Sequence, residues 1–215
     1  MFSTQANTGP SWENKTSRAF WRGRDSRRER LDLVVMSRRQ PELVDAQLTN
    51  MFFFPKDEKK YGELARHVSF FEFFKYKYQL NIDGTVAAYR FPYLLSGDAV
   101  VFKQESDYYE HFYGDLEPYV HYWPIKHDLS DLLKTLRWAK QNDATMQEVA
   151  RNGQRYAREN LDPASILCYH VRLLQEYSSR LRSKPKFTKD FEKVEQPSEG
   201  NCKCQKYKKQ VHEEL

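Results

Sequence analysis

Residues 74–102 decide how the fold is organised, and they read FKYKYQLNIDGTVAAYRFPYLLSGDAVVF. The early run KYQLNI is followed by an Asp-Gly pair, which predicts a strand that ends in a tight turn. Residues 85–95 predict a helix that Pro92 kinks or shortens, because proline inside a helix removes a hydrogen bond. The run DAVVFK predicts a second, buried strand. Strand, helix and strand in this order predict a parallel sheet.

The residues on either side continue the same alternation. Residues 18–23 and 41–49 predict two more strands, and residues 26–39 between them predict a helix. Ser26 is the expected N-cap of that helix, with Glu29 completing a capping box. Beyond residue 128, apolar residues recur at helical spacing in three successive segments. The sequence therefore predicts an α/β fold with a parallel sheet and a helical C-terminal end.

The composition allows one packed domain and excludes a membrane span. The 215 residues suffice for a domain with a tail, and 40% of them are hydrophobic. Residues 1–17 are expected to be a linker or the remnant of an upstream half, because they are polar and resemble no signal peptide. Residues 18–182 are the predicted domain, and the Lys-rich residues 183–215 are expected to form a mobile tail. No apolar run is long enough to cross a bilayer, and the net charge of +5 is too small to identify a partner.

The three cysteines, Cys168, Cys202 and Cys204, cannot all pair within the chain. Cys202 and Cys204 form a Cys-x-Cys spacing without further cysteine or histidine ligands, which is weak support for a zinc site. We therefore expect no bound metal. The odd cysteine indicates either a free thiol or a partner outside the chain.

The last four residues and one N-terminal tripeptide indicate a secretory compartment. His212, Glu213, Glu214 and Leu215 resemble the address that the retrieval receptor of the endoplasmic reticulum reads, with Glu in place of Asp. Asn14 opens an Asn-Lys-Thr sequon and is a candidate glycosylation site. Together these features favour the lumen of the endoplasmic reticulum over the cytosol or nucleus, with the retrieval receptor as a partner.

Six arginines lie within the thirteen residues RAFWRGRDSRRER, at positions 18, 22, 24, 27, 28 and 30. One interpretation is a solvated basic face of a helix. The other is a phosphate site, because the arginines flank a strand, a glycine turn and a helix start, where backbone N–H groups and the helix dipole attract anions. Guanidinium groups also bind phosphate oxygens bidentately. The residues alone leave both interpretations open.

The segment after the third predicted strand is a second candidate for an anion site. Residues 81–85 predict a strand end, a tight turn and a new helix that opens on Thr85, with Asp83 capping the turn. A plain N-cap turn is the simpler interpretation. Arg90, however, is expected one and a half turns into this helix and within reach of its N-terminus. Both candidates would lie at the carboxyl edge of one parallel sheet, where open α/β sheets bind nucleotides.

Four stretches occur in a definite order and spacing: FWRGRDSRRERLDLVVMSRRQPELVDAQLT, KYKYQLNIDGTVAAYRFPYLLSGDAVVF, EHFYGDLEPYVHYWPI and DLSDLLK. In that order they resemble the Rumi-like protein O-glucosyltransferases, and within these the KDEL-motif-containing group. The resemblance covers residues 12–181. It implies a GT-B glycosyltransferase, in which two Rossmann-like halves hold a sugar nucleotide between them. This chain resembles the C-terminal half, which binds the donor.

The resemblance implies an inverting transfer of glucose, or in some members xylose, from a UDP-sugar to serine in EGF repeats of proteins such as Notch. It places the catalytic aspartate in an N-terminal half, and no residue here matches it. We therefore expect this chain to be a truncated form that binds donor without transferring sugar. The family's donor-binding positions correspond here to Arg24, Arg30, Thr85, Val86, Ala87, Ala88, Tyr89 and Arg90.

Positive charge at the diphosphate is expected from Arg30, Arg90 and a helix N-terminus at Thr85. A metal is not expected, because the sequence has no Asp-x-Asp motif, which holds the metal in glycosyltransferases of the GT-A fold. Asp115-Leu-Glu117 is the nearest match to that motif. Two alternatives remain. A nucleic-acid binder would use the arginines and the run FFEFFKYKY, but 30 acidic residues disfavour it. A catalytically inactive module that binds UDP or a protein partner is the other.

Overall fold

A computed structural model of the chain describes residues 8–183, 190 and 192. Within them the backbone forms five strands: β1 (Thr16–Arg24), β2 (Val44–Asn50), β3 (Tyr76–Asn81), β4 (Val100–Gln104) and β5 (Trp123–Ile125). It also forms six α-helices: α1 (Arg28–Arg39), α2 (Glu58–Tyr61), α3 (Phe91–Leu95), α4 (Leu132–Gln141), α5 (Asp143–Asn160) and α6 (Pro163–Ser179). Three short 3-10 helices span Trp12–Asn14, Phe70–Lys75 and Tyr113–Asp115. Most of the predicted tail, including Cys202, Cys204 and the last four residues, lies outside the described residues.

The five strands form one sheet in the order β2-β1-β3-β4-β5, and every neighbouring pair is parallel. The chain passes from β1 to β2 on one side and later continues with β3 on the other side of β1. The carboxyl ends of β1 and β3 therefore flank the topological switch point, where open α/β sheets bind ligands. The predicted α/β fold is confirmed, although β5, only three residues long, was missed.

One face of the sheet is covered by α1, α4 and α5. Side chains of the strands and of the three helices share one buried apolar core, which includes Trp21, Tyr78, Phe102, Leu31, Leu136 and Met146. The strand residues alternate along the sequence and the helix residues recur at helical spacing. These two periodicities explain why most of the elements could be predicted.

The opposite face is covered by the 3-10 helix Phe70–Lys75 and by α3. Phe20 stacks on Tyr76 with ring centroids 4.2 Å apart, and it meets the ring of Phe73 edge-on at 4.9 Å. Gln79, which is in register with Phe20, is fully buried on this face as well. This second layer therefore combines stacked aromatic rings with a buried amide side chain.

The start of α1 differs from the prediction. The helix begins at Arg28 with Arg27 as its N-cap, and no side chain caps it, so the predicted Ser26–Glu29 capping box is wrong. Ser26 is turned toward the switch point instead, because a Cβ added at Gly84 would lie 3.3 Å from its Oγ. The serine thus lies beside the cavity described below rather than over the end of the helix.

The predicted helix from Thr85 is also wrong. Residues 85–90 form bends and turns, and α3 begins only at Phe91, with Pro92 in its first turn. Proline suits a first turn because its missing N–H would have no helical partner there anyway. The proline therefore starts a short helix instead of kinking a longer one.

Part of the predicted linker packs onto the sheet domain. Trp12 is buried and donates its indole N–H to Asp143 at 2.9 Å. Lys15 is buried and pairs with Asp98 at 2.8 Å.

By contacts the chain divides into two units, residues 1–159 and 160–215, a division that differs from the predicted boundary at residue 183. In the described part of the chain, no helix has the length and apolar content to cross a membrane.

Candidate functional site

A cavity of about 630 Å³ opens at the carboxyl ends of β1 and β3. All eight residues predicted to bind the donor line it: Arg24, Arg30, Thr85, Val86, Ala87, Ala88, Tyr89 and Arg90. Its volume lies within the range of roughly 300–1,000 Å³ that is typical of small-molecule sites. The structure thus brings together two clusters that are more than fifty residues apart in the sequence.

Arg30, in the first turn of α1, bridges the ends of two strands. Its Nε donates to the carbonyl oxygen of Asp83 at 2.7 Å, and its Nη2 donates to that of Ile82 at 2.9 Å. Its Nη1 donates to the carbonyl oxygen of Arg24 at 3.1 Å. An arginine has five N–H groups, so two stay available to a ligand. The fold therefore fixes this guanidinium before any ligand binds.

Arg90 reaches the cavity from the N-cap position of α3, not from inside a helix as predicted. Its Nη1 donates to the carbonyl oxygen of Arg22 at 2.7 Å, which ties the segment before α3 to β1. The guanidinium also lies over the ring of Phe73, with 5.5 Å between its carbon and the ring centroid. One backbone hydrogen bond and one aromatic ring hold the group in place.

Arg30 is a buried cation and Arg90 a half-buried one, and neither has an ionic partner among the described residues. Burial, and after it the charge of Arg90, lowers the pKa of Arg30 to about 10, while burial alone lowers the pKa of Arg90 to about 10. Both groups stay charged at neutral pH. Among the described residues, neither has a carboxylate within 4.0 Å, and no Asp or Glu lines the cavity. The cavity is therefore a ready site for an anion.

The segment between β3 and α3 forms one wall of the cavity. Its turn is closed by the N–H of Gly84, which donates to the carbonyl oxygen of Val86 at 2.8 Å. Asp83 does not cap this turn as predicted, because its carboxylate accepts the hydroxyl of Ser106. No helix begins at Thr85, so the expected dipole contribution at that position is wrong as well. Positive charge on this side comes from Arg90.

Asp25 is a residue of this region that the sequence analysis missed. Its fully buried carboxylate accepts backbone N–H groups from Phe52 at 2.8 Å, Phe53 at 2.9 Å and Phe54 at 2.8 Å. Burial raises the pKa of Asp25, but the three N–H donors outweigh it and hold the pKa below the ordinary value. Its position just after a predicted strand was the only signal in the sequence.

Other residues of the two clusters lie elsewhere. Arg18 and Arg22 pair with Asp45, although Arg22 also lines the cavity, and Arg28 pairs with Asp32 one turn along α1. Lys77 pairs with Asp143 at 2.7 Å. Asn14, the candidate glycosylation site, is exposed at the end of a 3-10 helix. In the described residues, no three Asp, Glu, His or Cys side chains are grouped as metal ligands would be.

The known proteins that are similar to this chain are glycosyltransferases. The family model described as glycosyl transferase family 90 matches residues 2–215. Protein O-glucosyltransferase 2 of Danio rerio is 54% identical over 100% of this chain and 43% of its own length. Protein O-glucosyltransferase 3 of Homo sapiens is 53% identical over 100% of this chain and 42% of its own. Protein O-glucosyltransferase 1 of Homo sapiens is 37% identical over 79% of the chain and 44% of its own.

The structural comparison supports the fold alone. A sucrose-phosphate synthase from Thermosynechococcus elongatus superposes with a TM-score of 0.56 at 8% identity, over 83% of this chain and 49% of its own. This likeness agrees with a Rossmann-like half of a GT-B glycosyltransferase. The chain thus spans less than half the length of the curated relatives that it matches.

Proposed function

Because the chain belongs to glycosyltransferase family 90, we propose that its cavity holds the diphosphate and sugar of a UDP-sugar, the donor in a protein O-glucosylation. The observation that carries this proposal is a pair of guanidinium groups held by backbone carbonyls, the buried Arg30 and the half-buried Arg90. Both line one cavity at the switch point, and neither has a carboxylate within 4.0 Å among the described residues. A diphosphate supplies the negative charge that this arrangement lacks.

The same groups would assist the chemical step. When a sugar leaves UDP, negative charge develops on the diphosphate, and donors fixed beforehand at that point stabilise it. The backbone hydrogen bonds of Arg30 and Arg90 fix both groups in this way. The donor sugar is glucose or xylose, since the resemblance includes enzymes for both.

The acceptors that we propose are serine residues in EGF repeats of proteins such as Notch. In the described residues the cavity has no carboxylate to accept the serine proton. We therefore expect this chain alone to act as a donor-binding module. Loss of a general base costs about 10²–10⁴-fold in rate, so incubation with UDP-glucose and a folded EGF repeat should give no transfer detectable by mass spectrometry. Transfer at an appreciable rate would point to His67, the one imidazole that lines the cavity among the described residues.

Calorimetric titration of the full chain tests the binding proposal. UDP should bind more tightly than UMP, because the cationic groups meet a diphosphate, and free glucose should bind most weakly. Binding should survive EDTA, because guanidinium groups supply the positive charge. Equal affinity for UMP and UDP would contradict the proposal, and loss of binding in EDTA would indicate a metal.

The compartment that we propose is the lumen of the endoplasmic reticulum, with the retrieval receptor as a partner. The support is the sequence of residues 212–215, which lie outside the described residues. With a signal sequence supplied, the chain should stay in the cell, and extension beyond Leu215 should cause secretion. Equal retention of both forms would contradict this assignment.

A further inference from the structure

The segment that follows β2 presents exposed aromatic rings on a fixed backbone. Phe52 and Phe53 are 65% and 60% exposed, although burial of large apolar side chains is normally favourable. Their backbone N–H groups, together with that of Phe54, all donate to the carboxylate of Asp25. A fully buried carboxylate therefore fixes the backbone that carries two solvent-exposed rings.

Only one of these two rings faces the cavity. Phe53 lines it, whereas Phe52 does not and lies instead near Arg24, with 5.9 Å between the guanidinium carbon and its ring centroid. Phe53 and Thr49 of β2 both line the cavity, while Arg30 and Arg90 donate to backbone carbonyls at the carboxyl ends of β3 and β1. Phe53 therefore belongs to the part of the cavity wall that follows β2, and it is exposed, unlike the buried Phe73 ring beside Arg90.

Tyr89 is another strongly exposed aromatic ring in the cavity wall, at 68%. It belongs to the bends and turns that precede α3, and no carboxylate fixes three consecutive N–H groups of that segment. A ring whose backbone is already ordered loses less conformational freedom when a ligand packs on it. Phe53 is therefore the better prepared of the two rings.

We propose that Phe53 is the surface on which the base of the bound nucleotide stacks, and that Asp25 is the positioning residue that holds it there. This inference rests on the proposed function, because it concerns the base of the nucleotide whose diphosphate meets Arg30 and Arg90. Every base has a π-face, so a base can stack on an aromatic ring without specific hydrogen bonds to its edge.

Titration of the full chain with UDP and with inorganic pyrophosphate tests this assignment. Phe53→Ala should weaken UDP binding by about tenfold, the usual scale for loss of one stacked base, and should leave pyrophosphate binding unchanged. Phe52→Ala is the matched control, with similar exposure and the same carboxylate anchor, and it should change neither affinity. Equal UDP affinity in the two variants would overturn the assignment of Phe53.

A double-mutant cycle tests the role of Asp25. Asp25→Asn should weaken UDP binding in the wild-type background but add little to Phe53→Ala, because it acts through that ring. Amide hydrogen exchange at residues 52–54 should speed up in Asp25→Asn. Asp143→Asn, which removes another hydrogen-bonded carboxylate, should leave that exchange and UDP affinity unchanged. Additive effects of Asp25→Asn and Phe53→Ala would overturn the positioning role.

The remaining outcomes separate this inference from the proposed function. A chain that binds neither UDP nor pyrophosphate would overturn both. A chain that binds the two with equal affinity would overturn only the stacking assignment, because the base would then contribute nothing. If Asp25→Asn does not fold, the comparison of Phe53→Ala with Phe52→Ala still decides, and slower exchange at residues 52–54 on addition of UDP to wild type supports the assignment.

Discussion

Two pairs of arginines around the same sheet have opposite surroundings. Arg18 and Arg22 share Asp45, whose carboxylate oxygens lie 3.6 Å and 2.7 Å from their respective Nη2 atoms. Arg30 and Arg90 meet backbone carbonyls and aromatic rings, and in the described residues no carboxylate lies within 4.0 Å of either group. A paired arginine has its charge neutralised within the fold, whereas an unpaired one keeps a charge that a ligand can neutralise.

The two pairs of arginines therefore have different roles. The first pair lies along β1, where side chains of neighbouring strands meet, and there Asp45 of β2 is close enough to serve both. The second pair lies at the carboxyl edge, where the strands end and a ligand can enter. Arg18 should affect stability alone, whereas Arg30 and Arg90 should affect ligand binding. Arg22 pairs with Asp45 but also lines the cavity, so its main effect should be on stability.

The largest effect is expected for Arg30→Ala, because Arg30 serves both roles. Its removal leaves the carbonyls of Asp83, Ile82 and Arg24 without their donor and should destabilise the fold by on the order of 3 kcal/mol or more. UDP binding should fall as well, and by more than in any other variant. Urea denaturation and calorimetry measure the two quantities.

Arg28→Ala is the matched control for Arg30→Ala. Arg28 lies in the same turn of α1, but its side chain is exposed and pairs with Asp32 one turn later. Such surface pairs contribute about 0.5 kcal/mol or less. A stability loss in Arg30→Ala as small as that of the control would show that the three backbone hydrogen bonds do not hold the strand ends together.

Asp45→Asn should affect stability much more than UDP binding. Arg18 and Arg22 would then carry partly buried charges without an ionic partner, which should cost about 2–3 kcal/mol. UDP affinity should stay within about twofold of wild type. A large loss of UDP affinity would remove the distinction between the two pairs.

The same variant has a spectroscopic readout. Burial, and after it the hydrogen bond to Asp45 and the charge of that carboxylate, raises the pKa of Tyr76 to about 12. In Asp45→Asn the part due to the carboxylate disappears, so the tyrosine should ionise at lower pH. An ultraviolet titration of tyrosinate absorbance measures this shift, and an unchanged titration would contradict the contact.

The elements were largely predictable because their signals are local. The alternation along β1 and the helical spacing in α4 and α5 each depend on residues within about ten positions of one another. The error at residues 85–90 came from the assumption that a helix opens at Thr85, directly after the turn. Pro92 was taken to kink or shorten that helix, whereas it lies in the first turn of a helix that begins at Phe91.

Many of the residues that line the cavity could be predicted, but the contacts that hold them in place could not. The resemblance brought together Arg24, Arg30 and residues 85–90, and all of them line the cavity. The sequence could not reveal that Arg30 bonds to carbonyls more than fifty residues away, or that Asp25 anchors residues 52–54. These contacts cross between strands, so they depend on the order of strands in the sheet and not on local pattern.

Arg90→Ala is expected to weaken UDP binding by roughly 1.5–3 kcal/mol, the scale for a charged hydrogen bond. Its effect on stability should be smaller, about 1 kcal/mol, because only one backbone hydrogen bond is lost. The variant therefore shows the reverse of Asp45→Asn, with a larger effect on affinity than on stability. Unchanged UDP affinity in Arg90→Ala would place the diphosphate elsewhere.

The smallest effect is expected at a third ion pair, that of Lys77 and Asp143, which lies near the amino end of β3. Burial raises the pKa of Asp143, but hydrogen bonds from Lys77 and Trp12 outweigh it, so the net pKa is lowered. The pKa of Asp143 in the folded chain is therefore below its value of about 3.9 in the unfolded chain. At pH values above about 3.9 the ionised carboxylate makes its full contribution to stability. The contribution is lost as pH falls through the folded pKa.

Asp143→Asn should therefore lose stability at pH 7, and its unfolding free energy should decline less steeply than that of wild type below about pH 4. The side chain of Asp143 is 44% exposed, so solvent screening limits the loss to about 1 kcal/mol or less. UDP affinity at pH 7 should not change, because both partners of this pair are neutralised within the fold. Urea denaturation across pH 2–7 measures the effect, and parallel acid limbs in the two proteins would mean that Asp143 has the same pKa folded and unfolded.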